Sequence, residues 1–211
     1  MMSAPVEGIP PFWTEPWRWA APAWHGRYGA SVGDFDSHAE RLVYSGWIAC
    51  FGLPRRWRPP ADPRWVHVVQ ASPSLLHGVA TALGHLALLR GGMPVALGCR
   101  PSVDPWFALA LKYRAVNCLR VGGVVTHSDS SAPRDAGVGV LRAMARQGWP
   151  DIDSRVAMLV APDASDACHT WEEPKQAQPW AIEWIDVGRC LSLCGAMMRG
   201  AASNTSSRGT R

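Results

Sequence analysis

SPSLLHGVATALGHLALLR, at residues 72–90, predicts the central helix of a helical protein. Serine followed by proline is a typical helix start, because the serine hydroxyl accepts a backbone N–H and proline suits the first helical position. Apolar residues then recur at spacings of three and four until Gly91-Gly92, which places them on one helix face. These apolar positions are Leu75, Leu76, Val79, Ala80, Leu83, Leu86 and Ala87. We therefore expect this helix to lie in the hydrophobic core.

Five further helices are predicted from similar start, stop and spacing signals. Their ranges are about 37–51, 104–122, 135–148, 151–162 and 179–199. Ser37 and Glu40 form a capping box at the first, and Asp104-Pro105 repeats the serine-proline device. Alternating apolar and polar runs, which indicate strands, are nearly absent. The predicted fold class is mainly α, an irregular helical bundle of about six helices.

Composition divides the chain into three parts. Residues 1–35 form a Pro/Trp-rich irregular arm, residues 36–199 a single helical domain, and residues 200–211 a disordered tail. Prolines interrupt the arm so often that no regular helix is expected to run through it. Its tryptophans have two interpretations: rings packed on the helical body, or a strip exposed for a partner protein.

The arm and the turn after the first predicted helix are the candidate protein-interaction surface. Exposed aromatic and arginine side chains concentrate binding energy at interfaces, which is why these residues are chosen. The candidates are Trp13, Trp17, Trp19, Arg55, Arg56, Trp57 and Arg58. A simple solvated turn is the alternative for the three arginines, and an anionic lipid is an alternative to an acidic partner.

Charge and cysteine usage narrow the class of protein. Lys and Arg number 21 against 17 Asp and Glu, and the formal net charge of +4 is mild for a nucleic-acid binder. Six cysteines without short paired spacings indicate free thiols in a reducing compartment. Residues 1–30 lack a basic start followed by an apolar stretch, so a cytoplasmic protein is expected. The uncharged residues 65–89 contain too many His and Ser residues for a membrane span.

The sequence contains no G-x-S-x-G, P-loop, H-E-x-x-H or glycine-rich dinucleotide turn. Cys190 and Cys194 lie one helical turn apart, but no neighbouring Cys or His pair completes a zinc site, which favours core thiols. His77 and His85 share the central helix without a carboxylate nearby in sequence, which favours a structural role. We therefore expect no enzyme activity, no cofactor and no metal.

Two other functions stay open on the residues alone. The positive charge is compatible with a helical regulator that binds nucleic acid, although no predicted helix shows Arg or Lys along one face near its start. An enzyme with an unrecognised site would need His77 and His85 to meet an acid or a nucleophile in a buried pocket.

Four segments between residues 86 and 162 resemble a known family. LALLRGG at residues 86–92 ends an apolar helix, and PWFALALKY at residues 105–113 begins the next. GVLRAMARQGWP follows at residues 139–150, and RVAMLVAP at residues 155–162. This order resembles the SctK (YscK-like) accessory proteins of bacterial type III secretion, and looks most like their rhizobial branch, the nodulation proteins of the NolU type.

The resemblance implies a structural, non-catalytic subunit. Proteins of that family link the cytosolic part of the inner-membrane ring protein to the sorting platform, where secretion substrates are loaded. The rhizobial branch affects host-specific nodulation. The implied partners are therefore the ring protein and the sorting-platform subunits, with no nucleic acid. The implied location is the cytoplasm, peripheral to the inner membrane through protein contacts, and no active-site residue carries over.

Overall fold

The computed structural model describes residues 8–28, 37–91, 104–122, 132–162 and 181–206. Its helices are α1 (Pro11–Thr14), α2 (Pro22–Tyr28), α3 (Ser37–Phe51), α4 (Val66–Val69), α5 (Pro73–Arg90), α6 (Pro105–Lys112), α7 (Ala132–Gly148), α8 (Asp153–Ala157) and α9 (Val187–Ser206). Short 3-10 turns lie at Pro16–Arg18, Pro63–Trp65 and Pro150–Ile152. Two strands, β1 (Leu119–Gly122) and β2 (Ala181–Ile185), pair antiparallel. The predicted fold class is confirmed, with short helices added at α1, α2 and α4.

Helix α5 is the buried centre of the fold, in agreement with the stretch at residues 72–90. The Ser72 hydroxyl accepts the backbone N–H of Leu75 at 3.4 Å, and Gly91 follows the last helical residue. Helix α5 contacts α6, α7, α9 and β1, and most of its own residues are therefore buried. Among the described helices, none combines the length and the apolar content that crossing a bilayer requires.

Helices α5 and α7 approach each other closely at two glycines. A methyl group added at Gly84 would lie 1.5 Å from the carbonyl oxygen of Pro133. One added at Gly137 would lie 1.6 Å from the carbonyl oxygen of Ala80. The two backbones are therefore in direct contact, and only a hydrogen atom fits at either position. Buried side chains of the same helices complete this part of the core: Leu76, Leu83, Leu141 and Met144.

The helix predicted over residues 104–122 ends at Lys112, so the second half of that prediction is wrong. The guanidinium of Arg90 donates hydrogen bonds to the carbonyl oxygens of Val116 and Leu119, which a continuous helix would have used internally. Strand β1 then replaces the last turn of the predicted helix. Its pairing with β2 supplies the backbone hydrogen bonds that the helix would have made.

The last predicted helix also begins later than expected. Residues 181–185 form β2, in which Ile185 pairs with Leu119, and α9 starts only at Val187. A helix beginning at Pro179 is therefore wrong. The pairing partner of β2 lies far away in sequence, so a helical spacing pattern cannot reveal it.

Helix α9 continues into the predicted tail. It runs to Ser206, whereas disorder was predicted from residue 200. A methyl group added at Gly200 would lie 3.2 Å from Cδ2 of Leu109, so the end of α9 is packed on α6. This contact supports helical turns that composition alone does not predict, and residues 207–211 lie outside the described part of the chain.

Among the described residues the apolar side chains form two large clusters and a small one around Ala136, and the N-terminal arm contributes to both large clusters. The larger cluster surrounds α5 and takes Phe12, Trp13 and Trp19 from the arm. The smaller joins Trp17 and Trp24 to the apolar face of α3, the helix that was predicted over residues 37–51. The arm therefore lies between α3 and the main body. Its prolines begin three short helical turns instead of one regular helix.

Candidate interaction surface

The arm tryptophans are buried, so they do not form the exposed strip that one interpretation required. Trp13, Trp17 and Trp19 expose 1%, 3% and 6% of their surface. Trp19 also donates its indole N–H to the carbonyl oxygen of Ala71 at 3.1 Å. The other interpretation, rings packed on the helical body, is confirmed, because burial removes a large aromatic area from water. These three residues offer no exposed ring to a partner.

Helix α3 ends at a glycine that directs the chain away from the helix axis. Gly52 has a φ of 58°, a left-handed conformation that glycine adopts without strain. Leu53 donates its backbone N–H to the carbonyl oxygen of Ile48 at 3.2 Å, and its side chain is buried. Pro54 follows and cannot continue the helix. The chain thus enters the segment that we call the connector, residues 54–60, in a defined direction.

The connector exposes its arginines and turns its tryptophan towards the body. Arg55, Arg56 and Arg58 are exposed, in agreement with the predicted exposed turn. Trp57 is half-buried and packs on the larger apolar cluster. Of the seven candidate residues, the structure therefore brings four together on one surface.

Aromatic contacts hold the connector in place. The ring of Trp57 packs edge-to-face on Trp13 and on Trp149, with ring centres 5.0 Å and 5.4 Å apart. Trp149 also donates its indole N–H to the carbonyl oxygen of Arg58 at 3.1 Å. The backbone beside the last exposed arginine is thus bonded to the end of α7.

A buried arginine holds the other end of the connector. Arg155 exposes 1% of its surface, and its Nη2 donates to the carbonyl oxygen of Pro54 at 3.0 Å. Its guanidinium lies 3.7 Å from the centre of the Trp13 ring, where a cation is attracted to the aromatic face. Burial lowers the pKa of Arg155 to about 10, so the group is still charged at neutral pH. Arg155 therefore joins the arm, the connector and α8.

The parts played by Arg155 and Trp149 were not predicted from the sequence. Arg155 lies three residues after Ile152 and four before Leu159, and both of those residues are fully buried. Helical spacing thus places Arg155 on the apolar face of its segment, which was the available signal. The indole of Trp149 carries no comparable signal, because its acceptor lies 91 residues away.

A shallow groove of about 530 Å³ lies between Asp62 and the start of α9. Trp184, at 45% exposure, stands on its rim. Arg64 donates to the carboxylate of Asp62 at 2.6 Å and to the carbonyl oxygen of Gly188 at 2.8 Å. The hydrogen bond from Arg64 lowers the pKa of Asp62 below its ordinary value. The charges of Arg64 and Asp62 therefore neutralise each other in this groove, and Arg64 also bonds the segment to the start of α9.

The two histidines of α5 lie in separate environments. His85 is 5% exposed, and its Nε2 lies 3.0 Å from Oδ2 of Asp104, whose other oxygen accepts the N–H groups that begin α6. His77 Nε2 lies 3.1 Å from the carbonyl oxygen of Trp19, and burial lowers the pKa of His77. Eight residues of helix separate the rings by about 12 Å along the axis. His85 does meet an acid, but the structure does not bring the two histidines into one site.

Cys190 and Cys194 are buried thiols of the core, in agreement with the sequence. Both are 0% exposed, and the Cys190 thiol donates to the carbonyl oxygen of Cys118 at 3.4 Å. Within the residues that the structure describes, no group of three His, Cys, Asp or Glu side chains is placed to hold a metal ion. Cys190 and Cys194 therefore pack in the core as small apolar side chains.

No family model, curated protein or solved structure matches this chain. The resemblance of residues 86–162 to the SctK-type secretion proteins stays a prediction.

Proposed function

We propose that this chain is a non-catalytic accessory subunit of a bacterial type III secretion system. It links the inner-membrane ring to the sorting platform at the cytoplasmic face of the inner membrane, and in a rhizobial setting it affects host-specific nodulation. The observation that carries the proposal is the connector, which presents three exposed arginines from a backbone bonded to Trp149 and Arg155.

The segments that carry the family resemblance support this proposal. They correspond to the end of α5, to α6, to the end of α7 and to α8. Helix α5 contacts α6 and α7, and α7 contacts α8. The same order of segments that suggested the family therefore builds one continuous helical body, which suits a subunit whose work is to position other proteins.

The buried polar side chains also support a contact role. In the described part of the chain they are His85 and Arg155. The first bonds to a carboxylate that caps a helix, and the second bonds to two backbone carbonyls. Arginine and tryptophan are enriched in the residues that contribute most to protein interfaces. The connector exposes three arginines, and the indoles of Trp13 and Trp149 pack against its tryptophan.

Affinity purification from cells that express the secretion genes tests the proposal. The expected result is that the ring protein and the sorting-platform subunits elute with the wild-type chain and are identified by mass spectrometry. Recovery of neither would overturn the proposal.

Two variants of equal charge locate the contact surface. The connector variant is Arg55→Gln, Arg56→Gln and Arg58→Gln. The control variant removes three exposed cations elsewhere and is Lys112→Gln, Arg114→Gln and Arg120→Gln. Because only the connector variant alters the proposed surface, it should recover less of the partners, and the control should recover wild-type amounts.

A further inference from the structure

The connector has a definite chemical preference. We propose that Arg55, Arg56 and Arg58, together with the exposed part of Trp57, bind a carboxylate-rich segment of a partner protein. This inference rests on the proposed function and names the chemistry of the partner at that surface.

The charge of the connector is not neutralised by the chain itself. Residues 53–61 contain three arginines and no Asp or Glu. The nearest carboxylate in sequence is that of Asp62, which forms an ion pair with Arg64. Arg64 donates from Nε to Oδ1 at 3.0 Å and from Nη2 to Oδ2 at 2.6 Å. None of the three connector arginines forms an ion pair with a carboxylate of the described residues. Three guanidinium groups are therefore available to an acidic partner.

The connector is also organised before a partner binds. Its first carbonyl is bonded by Arg155, the carbonyl of Arg58 is bonded by Trp149, and the ring of Trp57 is packed against two other indoles. Because the backbone is already ordered, binding loses less conformational entropy there than at a free loop. Arg56 and Arg58 are exposed, and Trp57, which lies between them in the sequence, is half-buried.

A protein segment fits these groups better than a nucleic acid or a membrane. Arginine binds a carboxylate through two parallel hydrogen bonds, and the exposed part of Trp57 adds an apolar contact. Nucleic-acid binding at physiological salt usually draws on more phosphate contacts than three side chains make. The formal net charge of +4 over 211 residues is also mild for a protein that binds a polyanion or an anionic lipid surface.

Fluorescence anisotropy with a synthetic probe tests the inference on the full chain. The probe is a short labelled peptide in which Glu alternates with Ser and one Trp is included, and its counterpart carries Gln in place of every Glu. The connector and control variants are compared with the wild type, and circular dichroism first shows that all three have the same thermal midpoint. Sonicated vesicles that contain phosphatidylserine, and a duplex RNA, serve as competitors.

The wild-type chain should bind the Glu peptide, and its affinity should fall by about tenfold or more in the connector variant, since three exposed ion pairs are lost. The control variant should bind as the wild type does. The inference is overturned if both variants lose the same affinity, if the Gln peptide binds equally well, or if vesicles or RNA displace the probe more effectively than unlabelled Glu peptide does. Peptide binding without recovery of secretion subunits would instead overturn the proposed function alone.

Discussion

The guanidinium of Arg155 lies over the ring of Trp13, 3.7 Å from the ring centre. Nε of Arg155 also donates to the carbonyl oxygen of Trp13 at 3.3 Å. One side chain from α8 thus bonds to both the ring and the backbone of the arm. A second hydrogen bond from this guanidinium reaches Pro54, where the connector begins. The arm, α8 and the connector therefore share a single buried cation.

Replacing Arg155 by methionine should destabilise the protein by about 2–4 kcal/mol. The carbonyl oxygens of Trp13 and Pro54 would lose their donor, and a buried acceptor without a partner costs about 1–3 kcal/mol. The measurement is the midpoint of urea unfolding followed by tryptophan fluorescence. The exposed Arg114→Met is the matched control and should change stability by no more than about 0.5 kcal/mol. Equal midpoints for the two variants would show that Arg155 does not hold the arm.

The contact between α5 and α7 predicts that alanine is not tolerated at Gly84 or Gly137. Each added methyl group would lie within 1.6 Å of a backbone oxygen, so the helices must separate. We expect a loss of about 3 kcal/mol, the upper end of the usual cost of overpacking, in the free energy of unfolding for either variant. Gly26→Ala is the control, because a methyl group there meets nothing within 4 Å. It should stabilise α2 by about 0.5–1 kcal/mol. Similar thermal midpoints for all three variants would contradict the close contact of α5 and α7.

His77 should make stability depend on pH. Burial lowers the pKa of His77 below its ordinary value of 6.5, so the unfolded chain binds more protons than the folded chain just below that pH. The contribution of His77 to the free energy of unfolding is therefore complete above about pH 6.5 and falls as the pH drops towards the folded pKa.

His77→Gln removes the titration and keeps an N–H for the carbonyl of Trp19. We expect chemical unfolding between about pH 7.5 and pH 5 to show a smaller loss of stability for this variant than for the wild type. The exposed, non-titrating Ser45→Gln should retain the wild-type dependence. The same pH dependence in His77→Gln and wild type would show that His77 does not contribute.

The described cysteines should differ sharply in reactivity. The hydrogen bond with Cys118 and burial raise the pKa of Cys190, and burial raises that of Cys194 to about 12. Cys50 is exposed and free. Since only the thiolate reacts, iodoacetamide should label Cys50 in the native protein and reach the α9 thiols only after denaturation. Peptide mass spectrometry over a time course checks this, and native labelling of Cys190 at the rate of Cys50 would contradict the described core.

Helices were predictable where the deciding residues are neighbours in the chain. Ser72 bonds to Leu75, and Asp104 bonds to Trp106, so each start signal acts within one turn of the helix that it begins. The helix predicted over residues 37–51 agrees with the bounds of α3. Local hydrogen bonds leave a record in adjacent residue types.

Strands and helix ends were less predictable, because they depend on distant residues. Leu119 and Val116 continue an apolar helical spacing, yet the first pairs with Ile185 and the second bonds through its carbonyl to Arg90. Neither partner is visible from the segment itself. A spacing of three and four therefore predicted helix where tertiary contacts selected a strand.

The candidate surface was predicted in part. The exposure of Arg55, Arg56 and Arg58 follows from their place between prolines, which keep the segment out of a helix. The burial of Trp13 does not follow from the arm, which has no regular spacing, because the side chains that cover the ring are Arg155, Trp57 and Trp149. Which tryptophans a partner can reach is thus decided by residues far from the arm in sequence.

The arm bonds to residues that are made much later. The carbonyl of Trp13 accepts from Arg155 across 142 residues, and the indole of Trp24 donates to Val160 across 136. During synthesis on the ribosome neither hydrogen bond can form until α8 and Val160 have emerged. The arm is thus translated long before the residues that it bonds to, and a nascent chain that stalls before residue 155 presents an arm without these bonds to whatever chaperone or neighbouring chain it meets.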